Sequence, residues 1–342
     1  MRLFALQMAG MGFVLAAGTA AISQAQAQSS VEGFYKGKTI NMVVGYTSGG
    51  GFDIYARLLG RHMGRHIPGN PSFVTQNMPG AGGMKSGQFL YSIAPKDGLT
   101  LATFGRGVVM APVFGHEAID ATKFTWIGSM TADVTVCLSR YNSQVKTWSD
   151  VMTKPYIVGG DGATNYTDMF ARMIKNVFKA DVKLVTGYPG GSEIRLAMER
   201  GEIDGTCGVS YESYKNTYGE NLRESKVNIL VQTAVKSDPR LADVPRIIDS
   251  ITDPELLQTV KLILGPDMAR PFAAPPEIPA DRKAALRGAF DKVMRDAELL
   301  AEARKLNVNI DPTPGAEIDK MIGDLYATSP AIVEKAKAAI AE

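Results

Sequence analysis

The sequence predicts an α/β protein folded as two lobes, and three observations point there. From residue 38 onward, short apolar runs of strand length alternate with amphipathic helical segments, the pattern of sheets covered by helices. A glycine-rich loop joins strand to helix in four of these units, at residues 47–53, 79–83, 159–165 and 188–192, two in each half of the chain. The 342 residues, 45% hydrophobic and 21% charged, suffice for a sizeable core divided between two lobes, and this composition excludes disorder and coiled coil.

Residues 39–46 (TINMVVGY) form the first strand, ended by the loop TSGGG. Asp53 then opens an amphipathic helix with Ile54, Leu58 and Leu59 on one face, stopped by Pro68-Gly69-Asn70-Pro71 because proline cannot continue a helix. Residues 72–77 predict a second strand, PGAGG leads into a helix carrying Phe89, Leu90 and Ile93, and Asp97-Gly98 turns into a third strand at 99–104. Residues 124–139 read as extended chain passing into a second unit. There strand 156–158, the loop GGDGATN and a helix with Met169, Phe170, Met173, Ile174 and Val177 repeat the opening pattern. Strand 182–186, helix 193–200 closed by Gly201, and strands 205–209 and 228–233 follow. Parallel sheets are expected. After Pro275-Pro276 helices are expected over 281–307 and 314–340.

Met1 and Arg2 make a short positive start, residues 8–22 are apolar, and Ala25-Gln26-Ala27 is an A-x-A site. A signal peptide over residues 1–27, cleaved after Ala27, is therefore expected; the apolar run is shorter than the ~20 residues a membrane-spanning helix needs. Export makes a disulfide chemically accessible to Cys137 and Cys207. Two buried free thiols are the plainer expectation, because nothing in the spacing brings the two together.

Lys and Arg number 37 against 35 Asp and Glu, a net charge of +2 with no cationic cluster, which removes the electrostatic ground for a nucleic-acid partner. The glycine loops suit a different ligand. Each aims free backbone N–H groups and the positive end of a helix dipole at one spot above the sheet, and such a spot attracts an anion. Loops in opposite lobes would face one another across a cleft at the carboxyl ends of the strands. Gly50 and Gly82 are expected to be glycine so that a ligand oxygen can reach the main chain. Ser48, Asp53, Asp161, Thr164, Asn165 and Ser192 fit an N-cap role as well as ligand contact; Asp53 and Asp161 read first as loop stabilisers, since an anionic ligand repels them.

Nucleotide motifs fail. Gly33-Phe34-Tyr35-Lys36-Gly37-Lys38-Thr39 has one residue too few between its glycines for a P-loop and precedes its strand, and the third glycine of a dinucleotide fingerprint falls at Ile54. Catalytic constellations are equally poor: Gly208-Val209-Ser210-Tyr211-Glu212 lacks the second glycine of a nucleophile elbow. His62 and His66 lie i, i+4 and have the spacing of metal ligands, but Arg61 and Arg65 accompany them and no HExxH glutamate stands between. A solvated basic face is the expectation, and no catalytic residue, metal or cofactor is assigned. Arg106 lies just past the third strand between two glycines that leave its guanidinium room to reach the cleft and hold a carboxylate. Arg270 precedes Pro271-Phe272 near a crossing between lobes, where surface solvation is the plainer reading. Tyr46, Phe52, Tyr166, Tyr188 and Phe272 are candidate aromatic walls, with core packing the default for each.

The A-x-A signal, TINMVVGY with TSGGGFDIYAR, FVTQN with MPGAGG, APKDG at 94–98, TGYPGGSEIRLAMERGEIDG and PPEIP at 275–279 together resemble the Bug-type receptors of tripartite tricarboxylate transporters over residues 38–342. The resemblance implies an α/β, two-lobed periplasmic-binding-protein-like fold (type II) with its ligand cleft between the lobes. It implies a monomeric periplasmic receptor that captures a small organic acid, a carboxylate, and delivers it to membrane permease subunits of such a transporter. In that family the loops of the first lobe clamp a ligand carboxylate through backbone N–H groups and ordered water, while the second lobe chooses the rest of the ligand. That carries over to Ser48, Gly49, Gly50, Phe52 and Asp53, to Pro79, Gly80, Ala81, Gly82 and Gly83, and in the second lobe to Asp161, Gly162, Ala163, Thr164 and Asn165. Tyr46 and Arg106 join them as wall and carboxylate partner. Ser48 stands where the family often has proline, which bears on loop stiffness.

The first lobe is expected to comprise residues 28–126 and 232–342 and the second 127–231. A secreted hydrolase or lyase using the same cleft is the alternative, disfavoured by the missing nucleophile and base. A sensory partner of a membrane kinase would use the same binding chemistry.

Overall fold

The computed structural model describes residues 30–116, 118–132, 134–218 and 227–342; the expected signal peptide, residues 1–27, lies outside them. The strands are β1 (Thr39–Val44), β2 (Ser72–Asn77), β3 (Thr100–Thr103), β4 (Thr125–Ser129), β5 (Thr135–Arg140), β6 (Tyr156–Gly159), β7 (Val182–Val185), β8 (Gly205–Ser210), β9 (Val227–Gln232), β10 (Pro271–Ala274) and β11 (Thr313–Pro314). They form two sheets, ordered β11-β4-β10-β3-β1-β2 and β7-β6-β8-β5-β9. The helices are α1 (Gly51–Met63), α2 (Met84–Gln88), α3 (Arg106–Met110), α4 (Trp148–Thr153), α5 (Tyr166–Phe178), α6 (Gly191–Arg200), α7 (Tyr211–Tyr218), α8 (Pro254–Leu264), α9 (Ala280–Val293), α10 (Ala297–Lys305), α11 (Gly315–Tyr326) and α12 (Pro330–Ala339). Among the described residues no helix is long and apolar enough to cross a membrane.

Ile40, Met42, Val43 and Val44 are all buried, as a near-continuous apolar strand covered on both faces requires. The β1 strand pairs in parallel with β2 and β3, and β6 with β7 and β8, so each lobe contains the expected strand–helix–strand units. The sheets are nevertheless mixed, which corrects the expectation of parallel sheets: β10 runs antiparallel to β3 and β4, and β5 antiparallel to β8 and β9. Both β5 and β10 enter their sheet directly from the other lobe, and without a helical crossover nothing enforces a parallel direction.

The expected helices at 281–307 and 314–340 are each split in two. Asp296 caps α10 by accepting from the Glu298 N–H, and Pro330 opens α12. Val260 and Ile263 of α8 pack with Ile332 and Ala336 of α12 in the same core as Met169, Phe170 and Ile174 of α5. The chain therefore crosses between lobes after β4, after α8 and after α11. A division with 232–342 wholly in the first lobe separates α8 and α12 from the core they join.

Cys137 and Cys207 form a disulfide, which corrects the expectation of free thiols. The β5 and β8 strands are antiparallel neighbours, and the register shifts between Val136 and Leu138. Gly208, with φ +67°, takes the extra residue of this bulge and sets Cys207 opposite Cys137. Nothing in the sequence marks that pairing, because it depends on β5 running against the expected parallel direction.

The histidine helix is also corrected. His62 is 8% exposed, with Nε2 2.6 Å from Glu302 Oε2, and His66 Nε2 lies 2.6 Å from Asp296 Oδ2. Arg61 pairs with Glu302 at 2.6 Å and Arg65 with Asp296 at 2.7 Å. This face is an ionic seam docking α1 on α10. The Arg65 hydrogen bond holds the Asp296 carboxyl well below the usual carboxylate range, and Arg61 and then His62 lower Glu302.

Two outcomes are expected. Replacing both Cys137 and Cys207 by serine releases a cross-link spanning 70 residues, which on the chain-entropy model costs about 4 kcal/mol, read as a lower urea midpoint; an unchanged midpoint contradicts it. Carboxyls that titrate lower when folded stabilise above their unfolded range, and that stability is lost as pH falls through the folded value. Asp296→Asn and Glu302→Gln should therefore lower the urea midpoint at neutral pH, and the gap from wild type should narrow as pH falls below about 5. A pH-independent gap would show that packing, not charge, carries the seam.

Candidate functional site

A cleft of about 370 Å³ lies between the lobes, with its walls at the carboxyl ends of β1, β3 and β8. The loop before α1 and the loop before α6 both line it. Neither helix start carries a side-chain cap: Gly50 and Gly190 occupy the N-cap positions. The first-turn N–H groups of Gly51 and Phe52 on one side, and of Gly191 and Ser192 on the other, are left for something else to accept. The loops approach closely, since a Cβ on Gly190 would lie 3.4 Å from Thr47 Oγ1. Two positive helix ends, one per lobe, thus border one space.

Asp53 shapes the first of these loops without lining the cleft. It is 3% exposed. Its Oδ2 accepts from the Gly49 N–H at 2.9 Å, Arg57 Nε at 2.9 Å and Ser48 Oγ at 3.3 Å. Its Oδ1 accepts from Asn77 Nδ2 at 2.9 Å, and the same amide reaches the Tyr46 carbonyl at 3.0 Å. Burial alone would raise the Asp53 carboxyl, but the bonds from Arg57, Gly49 and Asn77 outweigh it and hold it below its ordinary value. Asn77 and Arg57, which end the FVTQN and TSGGGFDIYAR elements but are not among the expected site residues, are the loop's supports.

The walls are aromatic and cationic. Tyr46 stacks on Phe52 with centroids 4.4 Å apart, and its buried hydroxyl donates to the Gly82 carbonyl at 3.0 Å. Arg106 lies 4.9 Å over the Tyr166 ring and donates to the Pro266 carbonyl at 3.3 Å; burial pushes the Tyr166 hydroxyl up to about 12. Phe272 and Tyr188 pack into the cores instead. Arg270 is 4% exposed, which corrects the surface reading. Its guanidinium lies over Phe52 at 4.6 Å and Tyr55 at 5.3 Å and donates to Ser210 Oγ on β8 at 3.1 Å. Its backbone N–H donates to Ser129 Oγ on β4, also at 3.1 Å, so the residue ties the two sheets together.

The second and third glycine loops meet each other. Thr164 Oγ1 donates to the Ala81 carbonyl at 3.4 Å, a Cβ on Gly82 would stand 2.8 Å from Asn165 Cβ, and one on Gly107 would collide with the Thr164 carbonyl oxygen. Gly82 has φ +62°, a left-handed conformation that favours glycine. Gly50, by contrast, has φ −80° and open space beside it: a methyl carbon added there would lie 3.6 Å from the Thr47 carbonyl oxygen, so no strain enforces glycine. Of the expected residues, Tyr46, Gly49, Gly50, Phe52, Arg106, Asp161 and Asn165 line the cleft. Ser48 and Asp53 stand behind the first loop, while Pro79, Gly80, Ala81, Gly82 and Gly83, with Gly162, Ala163 and Thr164, belong to the loops that make the contact between lobes. Gly190, Gly191, Ser192, Ser210 and Arg270 are also among the lining residues. The fourth glycine loop is legible in the sequence as an anion loop, but nothing there says that it pairs with the first.

No protein-family model matches the chain. A curated protein of Cupriavidus necator, described as "UPF0065 protein in gbd 5'region", is 27% identical over 250 residues, covering 68% of this chain and 71% of its own. The structure of the periplasmic binding protein BugD superposes with a TM-score of 0.71 at 17% identity, covering 89% of this chain and 98% of that one. MatC from Rhodopseudomonas palustris, with bound malate, superposes with a TM-score of 0.68 at 20% identity, covering 89% and 99%. The chain has the two-lobed fold of the Bug and TctC periplasmic binding proteins, its structural neighbours.

Proposed function

We propose that the chain is a periplasmic solute-binding receptor that captures a small organic acid between its lobes and delivers it to the permease subunits of a tripartite tricarboxylate-type transporter. One observation carries the reading: two helices from different lobes, α1 and α6, begin without side-chain caps at the same cleft. A carboxylate between them satisfies donors from both lobes at once and needs no metal to neutralise it. It thereby favours the closed arrangement over an open one. The lining also brings Arg106 and Arg270 to the same space, cationic donors of the kind a carboxylate takes. The malate found in MatC is a ligand of this chemical kind.

Binding should require an ionised carboxylate. In a thermal-shift screen, parent acids should raise the melting temperature, with stabilisation reaching about 2.7 kcal/mol at a hundredfold excess over Kd. Their amides and methyl esters should not; equal shifts from acid and ester would remove the clamp. The contact between lobes makes a second claim. Gly82→Ala and Gly107→Ala should leave a folded monomer but hold the lobes apart. A strained or displaced backbone costs roughly 1–3 kcal/mol, so affinity for the acid found in the screen should fall about tenfold or more. Calorimetric titration and small-angle scattering check this, and an unchanged affinity with an unchanged ligand-induced compaction counts against it.

A further inference from the structure

Asp161 is the only acidic side chain among the described residues lining the cleft. It follows β6 on the loop leading to α5. Its Oδ1 is doubly occupied, accepting from Asn165 Nδ2 at 2.7 Å and from Thr167 Oγ1 at 2.5 Å, while its own N–H donates to Thr167 Oγ1 at 3.1 Å. These bonds fix the carboxylate plane. The second oxygen, Oδ2, has no hydrogen-bond partner among the described residues, and no arginine or lysine there pairs with it. Arg106 is engaged with Pro266 and Tyr166, and Arg195 with Glu199.

A carboxylate oxygen can only accept. Beside a space that two helix ends make attractive to anions, an unsubstituted acid offers it either CH groups or a second negative charge, and displaces the water that would otherwise solvate it. A ligand with an O–H or N–H donor removes this conflict. The geometry points to Asp161 as a specificity-determining residue that selects carboxylic acids bearing a hydroxyl or ammonium group over the same acids without one. This rests on the receptor reading above. Burial raises the carboxyl above its ordinary range, as expected for a charge awaiting a partner.

The test is calorimetric titration of the full-length mature protein with acids matched in carbon number: malate, aspartate and succinate, then lactate, alanine and propionate, and the corresponding five- and six-carbon sets. Sites built to bond a ligand OH or NH reject the analogue lacking it by up to about 10⁵-fold. Here the hydroxy or amino member of a set should bind wild type at least about tenfold more tightly than its plain counterpart. In Asp161→Asn the oxygen stays with Asn165 and Thr167, so an amide N–H₂ replaces Oδ2. The preference for an ammonium should then fall by about tenfold or more and that for a hydroxyl by less, which tells the two donors apart. Equal wild-type affinity within every set overturns the inference whether or not the variant folds, and so does a preference, for either donor, that is undiminished in Asp161→Asn. If no acid of any set binds, the receptor reading falls and takes this inference with it.

Discussion

Asp53 is a buried carboxylate that accepts from Ser48, Gly49, Arg57 and Asn77, and the form of the cleft depends on it. A carboxylate near a helix start would ordinarily fold back as a cap and consume the free N–H groups. Here it faces inward, bonding the loop that precedes the helix and the strand end beside it. The negative charge is balanced by Arg57 below the loop, and the first turn of α1 keeps its donors for the cleft. Anion attraction at this site thus comes from the placement of an anion.

The lobes are held by contacts of different kinds. Arg270 joins β4 to β8 through two serines and is sandwiched against the aromatic rings of α1; a guanidinium suits the place because it stacks and donates in one plane. Near Tyr46 the first lobe contributes main chain, at Ala81, Gly82 and Gly107, against the Thr164 hydroxyl, the Asn165 side chain and the Thr164 carbonyl. A backbone surface bare of side chains lets the other lobe come this close, and so tight a fit holds in one relative position of the lobes. The glycines that read from sequence as ligand contacts therefore serve, in the second and third loops, to let one lobe rest on the other.

Much of this is legible in the residues. The β1 and β2 strands, the helix at 51–63 and the closure of α6 by Gly201 follow from apolar period and glycine, because those signals are local. Pairing is not legible. Whether residues 135–140 run with or against 205–210 depends on how the chain enters the second lobe, and the disulfide between them is hidden for the same reason. His62 and His66 look solvated in the sequence because their partners Glu302 and Asp296 lie more than two hundred positions away. The site is half visible: local chemistry marks a loop that can bind an anion, whereas the partner loop is chosen by the assembled fold.

The return of α12 to the second core has a consequence for the order of events along the chain. Ile332 and Ala336 cover α5 and α8, so a lobe whose sheet is encoded in the middle of the sequence is sealed by its last helix. Contacts at such sequence separation form late. Until α12 docks, the second lobe has its strands but an open apolar flank. Completion of the second lobe therefore waits on α12, and a change in that helix is felt in the lobe it covers, not in the one it follows in sequence.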